Sequence, residues 1–112
     1  MLFSVNWEGD SKKILSHFPT RIRIELGFEI YALQKGERPS DFKPMKTVGS
    51  GVYELRAQDH RSCYRVIYIA KLAESIFILH CFEKKSTKTP LGDLKVAKLR
   101  LAKVKKRLKE GT

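Results

Sequence analysis

Three runs of apolar and aromatic residues, joined by two short connections, constrain the fold of this chain more than any other feature. The runs cover residues 52–58, 63–70 and 75–82, and each has the apolar, β-branched and aromatic residues typical of a β-strand. The connections, residues 59–62 and 71–74, are each four residues long. Because connections of this length join neighbouring strands as hairpins, the middle of the chain predicts an antiparallel meander.

The segments on either side of the meander predict one further strand and three helices. From the N-terminus they are a strand over residues 2–7, a short helix capped by Asp10 or Ser11 and reaching Phe18, a helix over residues 20–35, and a helix that begins at Thr89–Pro90. Residues 36–51 hold two prolines and three glycines and are expected to form a loop. The length of 112 residues suits a single domain, here residues 1–112, with the order β-α-α-β-β-β-α and an α+β fold class.

Positive charge is concentrated in the C-terminal quarter of the chain. The formal net charge is +11, and residues 84–109 hold nine lysines and two arginines against one aspartate. A basic block of this kind attracts polyanions through counterion release. Nucleic acid or the ribosome is therefore an expected partner.

Several other functional classes find no support in the sequence. No apolar run approaches the roughly 18 residues that a membrane span requires, and the N-terminus does not read as a secretory signal. We therefore expect a cytosolic protein. Cys63 and Cys81 lie far apart and lack the spacing of a zinc site, so we expect free thiols and neither a metal nor a cofactor.

The meander has an expected register, because two simple hairpins fix which residues face each other. In that register Arg56 faces Arg65, and Arg65 faces His80, so that the three form one cross-strand row. The opposite face is expected to be buried and carries Tyr53, Leu55, Ala57, Tyr64, Val66, Tyr68, Phe77, Leu79 and Cys81. A slip of one residue would move an arginine into that apolar face, which favours this register.

Two arginines side by side on a sheet need a compensating charge, because like charges repel by roughly 0.2–1 kcal/mol in such pairs. One explanation is structural, with Glu54, Asp59 or acidic side chains of the helices as neutralising partners. The other is a bound phosphate, since guanidinium groups form paired charge-assisted bonds with phosphoryl oxygens. Two of them could also stabilise the charge that develops when a phosphodiester is cleaved.

The remaining candidates for chemistry are His80 and the lysines near it. Imidazole can move protons near neutral pH, although a lone histidine on a strand is more often structural. Lys84 and Lys85 either add to the same positive field or form a solvated lysine run. We predict catalytic roles for Arg56, Arg65, His80 and Lys84. The lysines expected to bind a nucleic-acid partner are Lys43, Lys46, Lys85 and Lys88.

Five segments in this order resemble the RelE/HigB-type toxins of bacterial type II toxin–antitoxin systems, especially their phage-derived branch. The segments are Trp7–Ser11, Gly36–Met45, Val48–Arg56, Tyr64–Tyr68 and Leu79–Pro90. The resemblance covers nearly the whole chain and implies a helical hairpin packed on an antiparallel sheet. It also implies an endoribonuclease that cuts mRNA, often in the ribosomal A site, by directing the 2′-hydroxyl at its own phosphodiester without metal.

The resemblance assigns roles and partners as well. The basic strand face of the family matches Arg56 and Arg65, and a basic residue after the last central strand matches Lys84 or, one position on, Lys85. The implied partners are mRNA, the ribosome and a cognate antitoxin of helix-turn-helix type encoded nearby. Such toxins often carry a tyrosine or further histidines near the C-terminus, and this chain has neither after His80.

That departure leaves two alternatives to a nuclease. The ParE toxins share the fold and inhibit DNA gyrase without cutting RNA, so a chain with few proton-transfer groups could act in the same way. A non-catalytic domain that binds RNA or the ribosome is the other alternative.

Overall fold

The computed structural model describes residues 1–85 and 90–111, apart from the side chain of Lys71. Its elements are β1 (Ser4–Trp7), α1 (Ser11–Ser16), α2 (Thr20–Gln34), β2 (Phe42–Pro44), β3 (Val52–Gln58), β4 (Cys63–Leu72), β5 (Ser75–Lys84) and α3 (Leu91–Glu110). Within the described residues, five strands form one sheet in the order β1-β5-β4-β3-β2. The predicted α+β class is confirmed.

Two features of the sheet differ from the prediction. The region expected to be a loop contains β2, which pairs with β3 at the edge of the sheet, with Lys43 opposite Glu54. The first strand lies beside β5 and runs parallel to it, with Ser4 opposite Ser75. The sheet is therefore mixed, and the expectation of a purely antiparallel sheet was wrong. Thr89, the expected cap of the last helix, lies outside the described residues.

Helices cover both faces of the sheet. The predicted stripe of α2, made of Ile22, Leu26, Ile30 and Leu33, is buried against one face together with residues of β3 and β4. On the other face, Ala97, Leu101 and Val104 of α3 pack on the sheet. Strands buried on both faces need apolar residues at consecutive positions, which explains the four consecutive apolar residues at 76–79 in β5.

The β4–β5 connection is tighter than its sequence predicts. Leu72 faces Ser75, which leaves Ala73 and Glu74 as the two central residues of the turn. Both adopt positive φ, at 51° and 57°, as a type I′ turn requires. Neither is the Gly or Asn that usually marks such a turn, so this turn could not be predicted from residue type.

This turn shifts the pairing of β4 with β5. Arg65 faces Phe82, and His80 faces Ile67, while Arg56 faces Arg65 as predicted. The prediction that His80 completes a row with the two arginines was therefore wrong.

A second irregularity changes which residues of β5 face each helix layer. The register breaks between Ile67 and Tyr68, so that Tyr68 faces Ile78 and Leu79 is left over. Phe77 and Leu79 consequently pack in the cluster under α3, whereas the prediction placed them on the same face as Leu55 and Val66. Ile76 and Ile78 take their place beside α2.

Candidate functional site

Each arginine of the predicted pair has an acidic partner. Arg65 donates from Nη1 to Glu54 Oε1 over 2.8 Å, and both side chains are buried. Arg56 lies nearer the surface, where its Nη2 is 3.0 Å from Asp41 Oδ1. The expectation that Glu54 neutralises one of the two facing arginines is therefore correct, and that arginine is Arg65. Asp59, the other carboxylate considered, accepts hydrogen bonds from its own turn.

Glu54 is surrounded by more positive charge than it can neutralise. Lys43 Nζ lies 3.8 Å from Glu54 Oε1, and Lys84, which is only 3% exposed, lies close enough to be influenced by Glu54, Arg65 and Lys43. We call these four residues the buried cationic cluster: within the described part of the chain they set three cations against one carboxylate. Burial, followed by the charge of Arg65, lowers the pKa of Lys84.

Two atoms of the buried cationic cluster have no hydrogen-bond partner among the described residues. They are Arg65 Nε and Glu54 Oε2. A buried N–H without an acceptor is unfavourable by roughly 1–3 kcal/mol, more when it carries charge, so unpaired donors in native proteins commonly mark a place for a ligand or water. Arg65 Nε is itself buried, so an anion in a neighbouring cavity would be bound by the other N–H groups of this guanidinium.

Arg65 and Lys84 line a cavity of about 450 Å³ at the end of the β3–β4 hairpin. We call this cavity the cationic pocket. Two exposed cations, Arg61 and Lys85, complete its positive wall, and the exposed imidazole of His60 lies in the same lining. The volume falls in the range of small-ligand sites.

The turn at the rim of the cationic pocket is held by one carboxylate. Asp59 Oδ1 accepts from the backbone N–H groups of Arg61 at 2.8 Å and Ser62 at 2.9 Å, and the Tyr64 hydroxyl donates to Oδ2 over 3.3 Å. The Ser62 bond is the chief cause of the lowered pKa of Asp59. The bonds fix the turn backbone, so that His60 and Arg61 stand at defined positions on the rim.

His80 lies away from this pocket, in a polar network under α3. Its Nε2 is 2.6 Å from Asp93 Oδ1, and Arg100 Nη1 is 3.4 Å from its Nδ1. Because Arg100 can only donate, Nδ1 is the acceptor and Nε2 carries the proton given to Asp93. The ring also stacks on Phe82. These contacts anchor α3, and a catalytic role for His80 stays a prediction.

Arg100 ties the same network to the start of the chain. It donates to the Leu79 carbonyl at 3.0 Å and to Asp10 Oδ1 at 2.7 Å. Asp10 precedes α1 but makes no side-chain cap bond, so its carboxylate serves Arg100 instead of the helix. Gly9 makes room for this contact: a Cβ there would lie 2.5 Å from the guanidinium, and its φ of +54° also suits glycine.

The lysines predicted to bind RNA fall in different places. Lys43 belongs to the buried cationic cluster and is 39% exposed, Lys85 stands on the rim of the cationic pocket, and Lys46 is exposed in the turn after β2. Lys88 lies outside the described residues. The structure thus brings Arg65, Lys84 and Lys43 together around Glu54. Lys85 lies in the lining of the cationic pocket, and Arg56 lies beside Arg65 on the sheet.

Sequence reasoning assigned no role to His60 or Arg61. A signal was available, because both lie in the connection that ends the two arginine-bearing strands. Side chains of such a turn must stand at the same end of the sheet as the residues just before and after it. The turn's composition, with a carboxylate to shape it and two basic side chains, was a further indication.

The described residues contain no group of three or more His, Cys, Asp or Glu side chains placed to hold a metal ion. None of the described helices is long and apolar enough to cross a membrane. Cys81 is fully buried and Cys63 partly so, and both are free thiols.

The fold and the pocket define a small α+β domain of the RelE-like type, with an open cationic pocket at one end of its sheet. Residues 13–102 match the family described as phage derived protein Gp49-like (DUF891), and the chain belongs to this family. The family is phage-derived and associated with toxin–antitoxin modules. No curated protein matched the chain in sequence.

Proposed function

We propose that the protein is the toxin of a type II toxin–antitoxin module and that it inhibits translation by cutting mRNA. The observation that carries the proposal is the buried cationic cluster opening into the cationic pocket. Arg65 and Lys84 line the pocket, and with Lys43 they set three positive charges against the one carboxylate of Glu54. The family's association with toxin–antitoxin modules supports the same assignment.

The pocket suits a phosphodiester of single-stranded RNA. Charges in a partly buried cluster are screened by salt much less than charges in open solvent, so Arg65 and Lys84 attract a phosphate strongly. The remaining N–H groups of Arg65 can bond its oxygens, while exposed Arg61 and Lys85 contact neighbouring phosphates. Glu54 holds the guanidinium in place before the substrate arrives, which reduces the reorganisation needed for binding.

Two groups in the pocket can move the protons that cleavage requires. The 2′-hydroxyl attacks the adjacent phosphorus, and its proton passes to the neutral imidazole of His60. The bond from phosphorus to the 5′-oxygen then breaks, and the Lys84 ammonium donates a proton to that oxygen. The products are a 2′,3′-cyclic phosphate and a free 5′-hydroxyl, with no other reactant consumed. The lowered pKa of Lys84 makes it a better acid than an exposed lysine.

The experiment compares purified variants on a translating ribosome, with message ends mapped by primer extension. His60→Ala and Arg61→Ala change exposed residues and should leave the fold intact. Loss of His60 is expected to slow cleavage by about 10²–10⁴-fold, the usual contribution of a general base. Arg21→Ala, an equal loss of charge from exposed α2, is the matched control and should cleave like wild type.

His80→Ala separates the catalytic from the anchoring interpretation. Because His80 holds Asp93 and packs on Phe82, its loss should lower stability while cleavage per folded molecule stays near wild type. Absence of new message ends with folded wild-type protein, on ribosomes and on free mRNA, would reject the nuclease.

The position of His80 favours one alternative, a ParE-like inhibitor of DNA gyrase that cuts nothing. With that imidazole held under α3, the arginine row itself contains no proton-transfer group. A supercoiling assay decides between the two activities. Gyrase inhibition that survives His60→Ala, without RNA cleavage, would support the alternative.

A plain RNA-binding or ribosome-binding domain predicts a third result. Its affinity would fall with salt, with a log-log slope of about −0.7 for each single-strand phosphate neutralised. Cells expressing it would grow normally, whereas a toxin arrests growth. Co-expression with the neighbouring gene tests the antitoxin, because an acidic partner covering the cationic pocket should restore growth.

A further inference from the structure

A second cavity, of about 460 Å³, adjoins the cationic pocket. Arg61, Ser62 and Lys85 line both cavities, so the β3–β4 turn and the end of β5 form the wall between them. The second cavity extends from this wall to the end of α1, where His17 lies. We call it the Glu83 pocket after the carboxylate in its lining.

The Glu83 pocket combines an apolar floor with polar groups of both signs. Phe18 and Tyr64 are buried and pack with their ring centroids 4.9 Å apart. Glu83 is 40% exposed, and its Oε2 accepts a hydrogen bond from the Ser62 hydroxyl. Lys85 Nζ lies 4.0 Å from the same oxygen. The serine bond orients the carboxylate and leaves most of its acceptor capacity unused, because a carboxylate has about four lone-pair sites.

Among flat heterocycles, guanine matches this arrangement best. Its N1–H and N2–H groups are adjacent donors and can both bond one carboxylate, as the free lone pairs of Glu83 allow. Its O6 and N7 are acceptors for a cation such as Arg61 or Lys85. Uracil presents a single N–H between two carbonyl oxygens, which a carboxylate repels. Pro19, an exposed apolar residue of the same lining, can contact the face of either base.

We propose that the Glu83 pocket binds a guanine base of the nucleotide next to the phosphate held in the cationic pocket. The wall shared by the two cavities places a base and its neighbouring phosphate on either side of Arg61 and Lys85. The inference rests on the proposed function and adds to it a base preference and the residue that sets it. Glu83 is then a specificity residue that takes no part in bond cleavage.

The test measures binding of the four 5′-mononucleotides to the isotope-labelled protein by NMR titration. GMP should bind most tightly and shift the backbone resonances of Ser62 and Tyr64 and the ring of His17. Glu83→Gln keeps an oxygen that can accept from Ser62 but places an N–H₂ where the second acceptor stood. Its preference for GMP over UMP should fall by about 5–150-fold, the value of a good bidentate base contact.

Glu25→Gln, the same change on the exposed surface of α2, is the matched control and should keep the preference. Four nucleotides bound with equal affinity by the wild type, or an unchanged preference in Glu83→Gln, would overturn the inference. RNA cleavage without a base preference overturns the guanine site and leaves the nuclease in place. A Glu83-dependent preference for GMP without RNA cleavage supports the guanine site and rejects the nuclease.

Discussion

Glu54 should contribute more to stability than Arg65, although the two form one ion pair. The Coulomb attraction across their 2.8 Å contact is about 6 kcal/mol at an effective dielectric constant of about 20, and most of it offsets the cost of desolvation. Removing one partner leaves the other charge buried. Glu54→Gln leaves Arg65 and Lys84 with no carboxylate in the buried cationic cluster, whereas Arg65→Met leaves Glu54 with Lys43 and Lys84 nearby.

The expected loss of unfolding free energy is therefore about 3–5 kcal/mol for Glu54→Gln and less for Arg65→Met. A loss of that size corresponds to a fall in Tm of roughly 15 °C or more for a chain of this length. The double variant should lose about 1–3 kcal/mol less unfolding free energy than the sum of the two single variants. In the double variant both charges of the Glu54–Arg65 pair are absent, so neither is left buried without the other.

Urea denaturation at neutral pH, followed by far-UV circular dichroism, measures all three values. Glu25→Gln on the surface of α2 is the control and should change stability by less than about 0.5 kcal/mol. A larger loss for Arg65→Met than for Glu54→Gln, or additive losses, would refute the description of Glu54 as the single anion among three cations.

Three further predictions concern individual side chains. Burial and the charge of Arg65 lower the pKa of Lys84, so the folded state binds this proton less tightly than the unfolded chain does. The stability of wild type relative to Lys84→Met should therefore rise as the pH increases towards the usual lysine range. Urea titrations at pH 7–10 measure this difference. Burial raises the pKa of Cys81 to about 12, so iodoacetamide should label Cys63 first in the native protein and both thiols only in urea. Intact-mass spectrometry measures the labelling, and equal labelling of the two thiols in the native state would contradict the fold. Arg100→Ala removes charged hydrogen bonds that join α3 to β5 and to the start of α1, and should cost about 2–3 kcal/mol in thermal unfolding, against little change for exposed Lys98→Ala.

The sequence predicted the parts of the fold that local pattern determines. The alternation in residues 52–58 and 63–70 fixed the pairing of Arg56 with Arg65, because any slip would have buried an arginine among apolar side chains. It could not predict the turn at Ala73 and Glu74, whose positive φ angles have no glycine or asparagine to mark them. That turn, with the irregularity beside Ile67, moved His80 away from Arg65.

The candidate site was predictable to a similar extent. The two arginines and Lys84 could be identified because strand register and charge are visible in the sequence. The burial of Lys84 and the excess of cations around Glu54 depend on how the turn closes over the sheet, which only the three-dimensional structure shows.

The parallel pairing of β1 with β5 has a consequence for how the protein forms during synthesis. The first strand leaves the ribosome before the other strands, but its only neighbour in the described sheet is β5, the last of the five in chain order. Ser4 can pair with Ser75 only after β5 has been synthesised. Lys84 and Lys85 follow at the end of that strand. We therefore expect a nascent chain to lack both its completed sheet and its cationic pocket until β5 has emerged from the ribosome. Hydrogen exchange on ribosome-stalled chains should show β1 amides unprotected before β5 emerges and protected afterwards.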